Sequence, residues 1–347
     1  MVTCVSAARL TVFLERAYRA AGMTRGGART MAQAHVEAEL RGLTGHGIRL
    51  APGYLCKLRT GRLNPRPKIV PRAHGAAVLA LDGDLAPGPV AARHALASAT
   101  IRARQAGVGL VTVRDVGHAG ALGVFVTWAA RHRMIAVLAA QTSAASVALR
   151  GGSGRGILGN SALAIAVPGK REGEPVVVDL AASAMSWGTL HQHAARDRLL
   201  PVGTALDTAG QPVRKPADAA VLLPAGERAQ AMAIVLELLV GALTGSTPLP
   251  GGGEGRGLWS LVIDPRALGA SHLTDAVAEV ARAVRVDGAR MPGDRAWSAH
   301  AQAATTGIAL DADDLRALTA AAGDDVPIPD WALPFHNSTA PAAGQES

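Results

Sequence analysis

Apolar residues recur at helical spacing over the first 42 residues of the chain. Those between Leu10 and Ala17 follow one helix face, and those from Ala32 to Leu43 follow another. From about residue 63 onward, apolar residues form short runs of strand length that proline and glycine interrupt. The predicted strands are 76–81, 107–115, 134–142, 162–169, 175–181 and 259–265, with the DGD at 82–84 predicted as a turn. The predicted helices in this part are 87–106, 120–133, 273–284 and 229–244, the last of them buried.

The order of these elements indicates the fold class. Helices dominate the N-terminal part, strands and helices mix in the middle, and helices return near the end. Strands 162–169 and 175–181 follow each other with only the polar turn GKREGE between them, which favours a mixed sheet over an uninterrupted parallel one. The sequence therefore predicts an α/β protein with a mixed sheet.

Composition narrows the class of protein. In 347 residues, 49% are hydrophobic and 18% charged, which excludes general disorder. The net charge of +8 comes from dispersed arginines without a run of like charges, so a nucleic-acid-binding function is disfavoured. The longest apolar stretch, Ala229 to Leu243, contains Glu237 and is too short to span a bilayer. The N-terminus is amphipathic and unlike a signal peptide, so we expect a cytoplasmic protein that binds no membrane.

A glycine motif at 154–159 matches the dinucleotide fingerprint GxGxxG, and Asp179 lies 20 residues beyond it. The fingerprint works only when a helix follows the loop, because the helix N-terminus holds the pyrophosphate. Here the strand-like NSALAIAVPG follows instead, with no room for a helix before VVVD. We therefore interpret the motif as a glycine-rich turn and exclude a Rossmann domain at this place.

Two histidines lie in glycine-flanked segments that suit proton transfer and carboxylate binding. His118, in RDVGHAGALG, follows a predicted strand and precedes a predicted helix. His46, in TGHGIRLAPGY, is followed by Arg49 and Tyr54. Reduction of a 2-oxo acid needs a guanidinium to hold the carboxylate and an acid to protonate the developing alkoxide, which histidine suits. Taken alone, His118 fits a helix-capping or core histidine better than a catalytic one, and the His46 segment by itself is weak evidence for a carboxylate site. No spacing of metal ligands is evident, since His191 and His193 form only an isolated pair.

Several segments in combination resemble the type-2 malate/L-lactate dehydrogenase family. They are GLTGHGIRLAPGY, VRDVGHAGALG, VVVDLAAS, TALDTAGQP, VLELLVGALTG and RMPGD, in the family's order, within a similarity that runs from about residue 8 to 298. The family includes ureidoglycolate and sulfolactate dehydrogenases and reductases of cyclic imino acids. The resemblance implies a non-Rossmann malate/L-lactate dehydrogenase-like fold, NAD or NADP as cofactor, a small carboxylate substrate and a homodimer with active sites near its interface.

The resemblance also implies roles for individual residues. His118 matches the general acid/base, and His46 matches a second catalytic residue that helps bind substrate. The expected substrate-binding residues are Arg49, Tyr54 and Asn160. The expected cofactor-binding residues are Thr142, Asp179, Leu180, Ala181, Arg228 and Arg290.

The chain departs from the family pattern near these positions. Gly45 replaces the serine before the substrate histidine, and Arg49 lies one position earlier than the family's usual arginine. Gly159-Asn160-Ser161-Ala162 replaces Gly-Thr-Asn-Pro, and Arg228 replaces a lysine. The changes indicate an unusual substrate, or alternatively the same fold repurposed for non-redox acid/base chemistry on a specialised biosynthetic substrate.

The resemblance implies three parts along the chain. Residues 1–73 with 300–335 form a helical domain from both chain ends. Residues 74–299 form a mixed α/β domain for nicotinamide binding and dimerisation, and residues 336–347 have the composition of a flexible tail. The leading hypothesis is an NAD(P)H-dependent oxidoreductase that transfers hydride to or from a 2-oxo/2-hydroxy acid or a carboxylate-bearing cyclic imine.

Overall fold

A computed structural model describes residues 2–142, 144–170, 175–251 and 253–333. The expected tail at 336–347 lies outside the described residues. The helices are α1 (Ala7–Ala20), α2 (Arg25–Leu40), α3 (Ala51–Arg59), α4 (Gly88–Ala106), α5 (Leu122–Arg131), α6 (Trp187–Ala195), α7 (Glu227–Glu237), α8 (Leu273–Val286), α9 (Asp294–Thr306) and α10 (Ala312–Ala322). The strands are β1 (Val2–Val5), β2 (Val70–His74), β3 (Val78–Ala86), β4 (Val108–Val116), β5 (Ile135–Ala140), β6 (Val147–Ala148), β7 (Gly156–Leu158), β8 (Ala162–Val167), β9 (Val176–Leu180), β10 (Ala205–Leu206), β11 (Pro212–Val213), β12 (Val221–Leu222), β13 (Arg256–Ile263) and β14 (Ile308–Asp311).

The chain divides into two compact units. The first comprises residues 1–66 and the segment from residue 295 onward, and the second comprises residues 67–294. Within the first unit, β1 pairs antiparallel with β14, so the two ends of the chain are joined by backbone hydrogen bonds. The helices of this unit pack through their apolar faces, with Leu10 and Leu14 of α1 and Leu315 of α10 fully buried.

The second unit is built on a seven-stranded mixed sheet in the order β2-β3-β4-β13-β5-β8-β9. The pair β3 and β4 is parallel, while β8 and β9 are antiparallel, as the short polar turn between them predicts. A second sheet has the order β11-β10-β12-β6-β7 and encloses its own small core around Leu158, Leu200 and Leu222. The predicted mixed α/β class is therefore confirmed.

Helices cover both faces of the large sheet. The helix α4 lies so close to β4 that a Cβ at Gly109 would be 2.0 Å from Ala99 O. The stretch that begins with α7 packs on Ala139 and Trp259 through Leu236 and Val240. Side chains alternate between the faces along a strand, so Gly109 and Trp259 mark opposite faces of the sheet.

The predicted helix 229–244 is buried on one side only. It consists of α7 followed by a π-helical turn at Leu238–Ala242. Met232, Val235 and Leu238 are 47%, 50% and 54% exposed, so within this single chain the prediction of a buried helix holds only for the side that packs on the sheet. A run that is apolar all round carries no helical period to indicate which side faces solvent.

Two further local predictions have opposite outcomes. The predicted turn at 82–84 is wrong, because β3 runs through it with a bulge at which Asp84 and Leu85 adopt φ of 52° and 53°. The interpretation of the GxGxxG motif is confirmed, because β7 and β8 follow Gly154 and, among the described residues, no helix lies between β7 and β9.

Candidate functional site

His46 of the first unit lies between α2 and α3, in a segment of two consecutive 3-10 turns. The first turn is Thr44–His46 and the second is Ile48–Leu50. His46 is half-buried, and burial lowers the pKa of its imidazole. The segment is too short to hold itself in place, so its geometry depends on the side chains beneath it.

His35 of α2 supports this segment from below. Its ring is 2% exposed, with Nδ1 3.4 Å from His46 O and Nε2 2.7 Å from the Tyr18 hydroxyl. Burial lowers the pKa of His35 to about 4, so the ring is neutral at physiological pH. Because a carbonyl oxygen only accepts, Nδ1–H donates to His46 O, and Nε2 accepts from Tyr18. This chain of hydrogen bonds fixes the tautomer of His35 beneath the candidate histidine.

Glu39 supports the same segment with a carboxylate. The Ile48 amide donates to Glu39 Oε1 over 2.8 Å, and a Cβ at Gly47 would come within 1.9 Å of that oxygen. Glycine at 47 is thus required by the close approach of the carboxylate. Burial raises the pKa of Glu39 to about 7, with Asp314 adding to the increase and Arg49 opposing it.

Arg49 already binds a carboxylate within its own unit. Its Nε and Nη2 donate to the two carboxylate oxygens of Asp314 on α10, each over 3.0 Å. The Arg49 side chain is 41% exposed, so the ion pair is accessible to solvent. The guanidinium therefore has the bidentate geometry expected for a substrate carboxylate, and a substrate would have to compete with Asp314 for it.

Tyr54, the third candidate of this segment, is packed into the unit. It lies on α3 with 4% of its surface exposed, and its ring centroid is 5.5 Å from that of His35. Tyr54 and His46 therefore both contact the buried His35.

His118 of the second unit lies in the loop between β4 and α5, as its sequence context predicts. It is half-buried. The Gly117 amide donates to Ala86 O over 2.9 Å. A Cβ at Gly88, the first residue of α4, would be 2.2 Å from His118 O. The backbone of His118 is therefore held by direct packing against the start of α4.

Asp179 connects the end of β9 with the helix that follows His118. Its Oδ2 accepts from the Gly123 amide over 2.7 Å, in the first turn of α5. Ala121 at the start of α5 provides no side-chain cap, so a carboxylate from a distant strand serves the helix N-terminus. Leu180, next to it, is 42% exposed at the strand end.

Thr142 and Asn160, which the resemblance assigns to cofactor and substrate, meet in the structure. The Asn160 amide donates to Thr142 Oγ1 over 2.8 Å. Asn160 O accepts from the Ala182 amide over 3.1 Å, and the Ser183 hydroxyl donates to the Asn160 side-chain oxygen. These bonds bring Thr142, Asn160 and the residues after Ala181 together from three separate places in the chain.

Two candidate cations lie at exposed positions of the second unit. Arg228 is the second residue of α7, whose N-cap Gly226 contributes no side-chain hydrogen bond. Arg290 is exposed in the loop before α9. A hydrogen bond from Arg285 lowers the pKa of Asp294, and the charge of Arg290 adds a smaller effect.

Sequence reasoning missed two buried carboxylates and one buried histidine. Glu39 and His35 support the 44–50 segment, and Glu237 accepts from the Gly159 amide over 3.0 Å. The available signal for Glu237 was a lone charge inside an apolar run, which we had used only to argue against a membrane span. Within the described ranges, no helix is long and apolar enough to cross a membrane, and no cluster of three or more potential ligands is arranged for a metal ion.

Comparison with known proteins places these features in a family. The family model described as malate/L-lactate dehydrogenase matches residues 5–319. The chain is 30% identical over 336 residues to a Delta(1)-pyrroline-2-carboxylate/Delta(1)-piperideine-2-carboxylate reductase of Pseudomonas syringae pv. tomato, covering 92% of this chain and 96% of that protein. It is also 30% identical over 270 residues to the ureidoglycolate dehydrogenase (NAD(+)) of Escherichia coli O157:H7, covering 78% of this chain and 76% of that protein.

A solved structure supports the same assignment. The crystal structure of a dehydrogenase from Sinorhizobium meliloti matches with a TM-score of 0.84 at 30% sequence identity, over 93% of this chain and 99% of that chain. The resemblance drawn from the sequence motifs and the fold that it implies are thus confirmed. The chain belongs to the malate/L-lactate dehydrogenase family and is an oxidoreductase.

Proposed function

We propose that this protein is an NAD(P)H-dependent reductase or dehydrogenase acting on a 2-oxo/2-hydroxy acid or on a cyclic imine that carries a carboxylate. The observation that carries the proposal is that hydrogen bonds join a substrate candidate to a cofactor candidate, and a cofactor candidate to the helix after His118. The bond between Asn160 and Thr142 joins positions 18 apart, and the bond between Asp179 and Gly123 joins positions 56 apart. The second of these bonds ties the cofactor segment to the helix that follows His118.

The residues present fit a nicotinamide dinucleotide. The first turn of α7 has no side-chain cap, and Arg228 next to the acidic Glu227 offers a cation for a phosphate group there. Leu180 offers an exposed apolar side chain for a ring, and Asp179 and Thr142 offer oxygen atoms. Arg290 supplies a further exposed cation. The bound cofactor would supply the hydride, so this chain needs no nucleophile of its own.

His118 is the proposed proton donor and acceptor. Histidine titrates near neutrality, which suits transfer of a proton to a developing alkoxide or amine in one direction and from it in the other. The contact between Gly88 and the backbone of His118 holds the loop in one place. A fixed donor matters because proton transfer depends on the positioning of the two heavy atoms.

We assign the carboxylate of the substrate to His46, Arg49 and Tyr54 of the first unit. Asn160 of the second unit is a separate candidate for binding substrate. The bidentate pairing of Arg49 with Asp314 supports this assignment, because it is the geometry in which a guanidinium binds a carboxylate, although a substrate would have to displace Asp314. The two relatives named above act on both substrate classes, a cyclic imine with a carboxylate and ureidoglycolate, which is a 2-hydroxy acid. Both classes have a carboxylate beside the carbon that gains or loses hydride.

A homodimer is part of the proposal. The solvent-facing side of α7 and the following π-helical turn presents Met232, Ile234, Val235, Leu238 and Leu243, each between 42% and 54% exposed. A contiguous apolar strip of this kind is typical of a surface covered by a protein partner. Light scattering of the purified protein would test it, and a monomer at micromolar concentration would contradict it.

A fluorescence titration with NADH and NADPH tests the proposed function first. We expect saturable binding of one or both, followed by turnover of 2-oxo acids or cyclic imines. His118→Ala should lower kcat by about 10²- to 10⁴-fold with little change in coenzyme affinity. His191→Ala, which removes an exposed histidine of α6, is the matched control. Absence of coenzyme binding to the unmodified protein would overturn the proposal.

A further inference from the structure

Glu237 is a buried carboxylate with its oxygen atoms aimed at the segments that carry the cofactor candidates. It is the last residue of α7 and only 2% exposed. Its Oε1 accepts from the Gly159 amide over 3.0 Å and from the Ser161 hydroxyl over 3.3 Å, while its Oε2 accepts from Gln141 Nε2 over 2.9 Å. One side chain thus contacts both residues flanking Asn160 and the residue before Thr142.

Apolar packing does not explain a carboxylate at this place. The neighbours of Glu237 on the helix, Leu236 and Val240, are buried among Ala139, Leu163 and Trp259. A leucine at 237 would pack in such surroundings without the cost of removing a charge from water. Burial raises the pKa of Glu237, and the three hydrogen bonds and the charge of Arg256 counteract the increase. The hydrogen bonds therefore offset part of the free energy that burying this carboxylate costs.

Backbone packing keeps Glu237 and its partners in contact. A Cβ at Gly159 would be 2.4 Å from Thr142 Oγ1 and 3.0 Å from Glu237 Oε1, so only glycine permits the approach. On the helix side, a Cβ at Gly257 would be 1.4 Å from Val240 O, which locks the π-helical turn against β13. Because the helical stretch packs this closely on β13, it holds the Glu237 carboxylate against the 159–161 turn.

Gln141 connects the carboxylate with a third segment. Its Nε2 donates both to Glu237 Oε2 and to Thr247 O, the latter over 3.0 Å. Both of these atoms are acceptors, so the amide must present its NH₂ group to them. Gln141 therefore joins the Glu237 carboxylate to the turn after α7 through hydrogen bonds. The residue after Gln141 in the chain is the cofactor candidate Thr142.

We propose that Glu237 is a positioning residue that holds the 159–161 turn and Gln141, so that the cofactor candidate Thr142, to which the Asn160 amide donates, is ordered for the nicotinamide cofactor. The inference rests on the proposed function. Glu237 would not touch the cofactor. It acts through the amide and hydroxyl groups that it accepts from, and it couples them to α7, whose other end carries Arg228.

Two substitutions at position 237 separate positioning from mere folding. Glu237→Leu keeps the volume and removes all acceptors. Glu237→Gln keeps one carbonyl oxygen for Gly159 and Ser161. Its new NH₂ group faces the NH₂ group of Gln141, which can turn to accept only by giving up its hydrogen bond to Thr247 O. Loss of hydrogen bonds to a buried charge predicts a Kd for NADH or NADPH raised about tenfold or more by the leucine, with partial rescue to about threefold by the glutamine. The Michaelis constant for the cofactor should rise with these values while kcat at saturating cofactor stays close to that of the unmodified protein.

Thr244→Val is the matched control, because the Thr244 hydroxyl is buried in the same helical stretch and its hydrogen bonds stay within residues 240–246. It donates to Val240 O and Gly241 O and accepts from the Ser246 amide. It should lower the melting temperature without changing the Kd. Amide hydrogen exchange at residues 159–161 provides a readout without any cofactor. Faster exchange there in Glu237→Leu, but not in Thr244→Val, is the expected result.

The outcomes distinguish this inference from the proposed function. Cofactor binding by Glu237→Leu within about twofold of the unmodified protein would overturn the positioning role. Unchanged amide exchange at 159–161 would overturn it as well. If the unmodified protein bound neither NADH nor NADPH, the proposed function would fail, and the ordering of the cofactor site by Glu237 would fail with it. The exchange comparison would then still decide whether Glu237 holds the turn.

Discussion

Substitution of the buried carboxylate Glu39 by glutamine should change how the stability of the protein depends on pH. Glu39 is 7% exposed and accepts from the Ile48 amide over 2.8 Å. Burial raises the pKa of this carboxyl from 4.5 to about 7, with Asp314 raising it further and Arg49 lowering it. Glutamine keeps an oxygen for Ile48 and cannot ionise, so the hydrogen bond is preserved while the titration is removed.

The direction in which stability changes with pH depends on whether the folded or the unfolded protein binds the proton of Glu39. Between about pH 4.5 and pH 7 the unfolded chain ionises this carboxyl while the folded protein keeps it protonated, so the free energy of unfolding falls as pH rises. One pKa unit corresponds to about 1.4 kcal/mol, so Glu39 should remove about 2 kcal/mol of stability between about pH 5 and about pH 8.

Urea unfolding of the unmodified protein and of Glu39→Gln at these two pH values measures the effect. We expect the variant to lose about 2 kcal/mol less than the unmodified protein over the interval. Glu15→Gln, which removes a carboxyl from α1 of the same unit, is measured beside it as the control for the loss of one carboxyl. Identical pH profiles for Glu39→Gln and the unmodified protein would refute the argument from burial.

Three other substitutions test separate contacts. Arg49→Lys should mainly raise the KM for a carboxylate substrate, because lysine cannot form the two parallel bonds of a guanidinium; an unchanged KM would show that the carboxylate is bound elsewhere. Gly88→Ala should cost about 1 to 3 kcal/mol in a thermal unfolding assay, since its Cβ meets the His118 carbonyl; full stability would contradict this packing. Tyr18→Phe should cost about 1 to 2 kcal/mol in urea unfolding, because the buried His35 Nε2 loses its donor; no loss would mean that water replaces the hydroxyl.

The residue pattern was sufficient to predict much of the fold. The helices of the first 42 residues, the antiparallel pair β8 and β9 and the mixed sheet all follow from spacing and short connections. The same reasoning placed His118 between a strand and a helix, and it rejected the GxGxxG motif because no helix follows it. These features depend on side-chain periodicity within about a dozen residues, which local covalent geometry imposes.

The burial of the side chains in the candidate site and their hydrogen-bond partners depend on contacts between distant parts of the chain. The pairing of Arg49 with Asp314 joins positions 265 apart, and the bond from Gly159 to Glu237 joins positions 78 apart. The pattern 229–244 was apolar on every side, so it did not indicate that only the side packed on the sheet is buried.

The sequence was therefore sufficient to nominate the candidate residues. It did not predict the shift in the pKa of Glu39 or the hydrogen-bond partners of Arg49 and Glu237. A side chain's desolvation and its hydrogen-bond partners depend on which other segments pack around it, and only the tertiary structure brings those segments together.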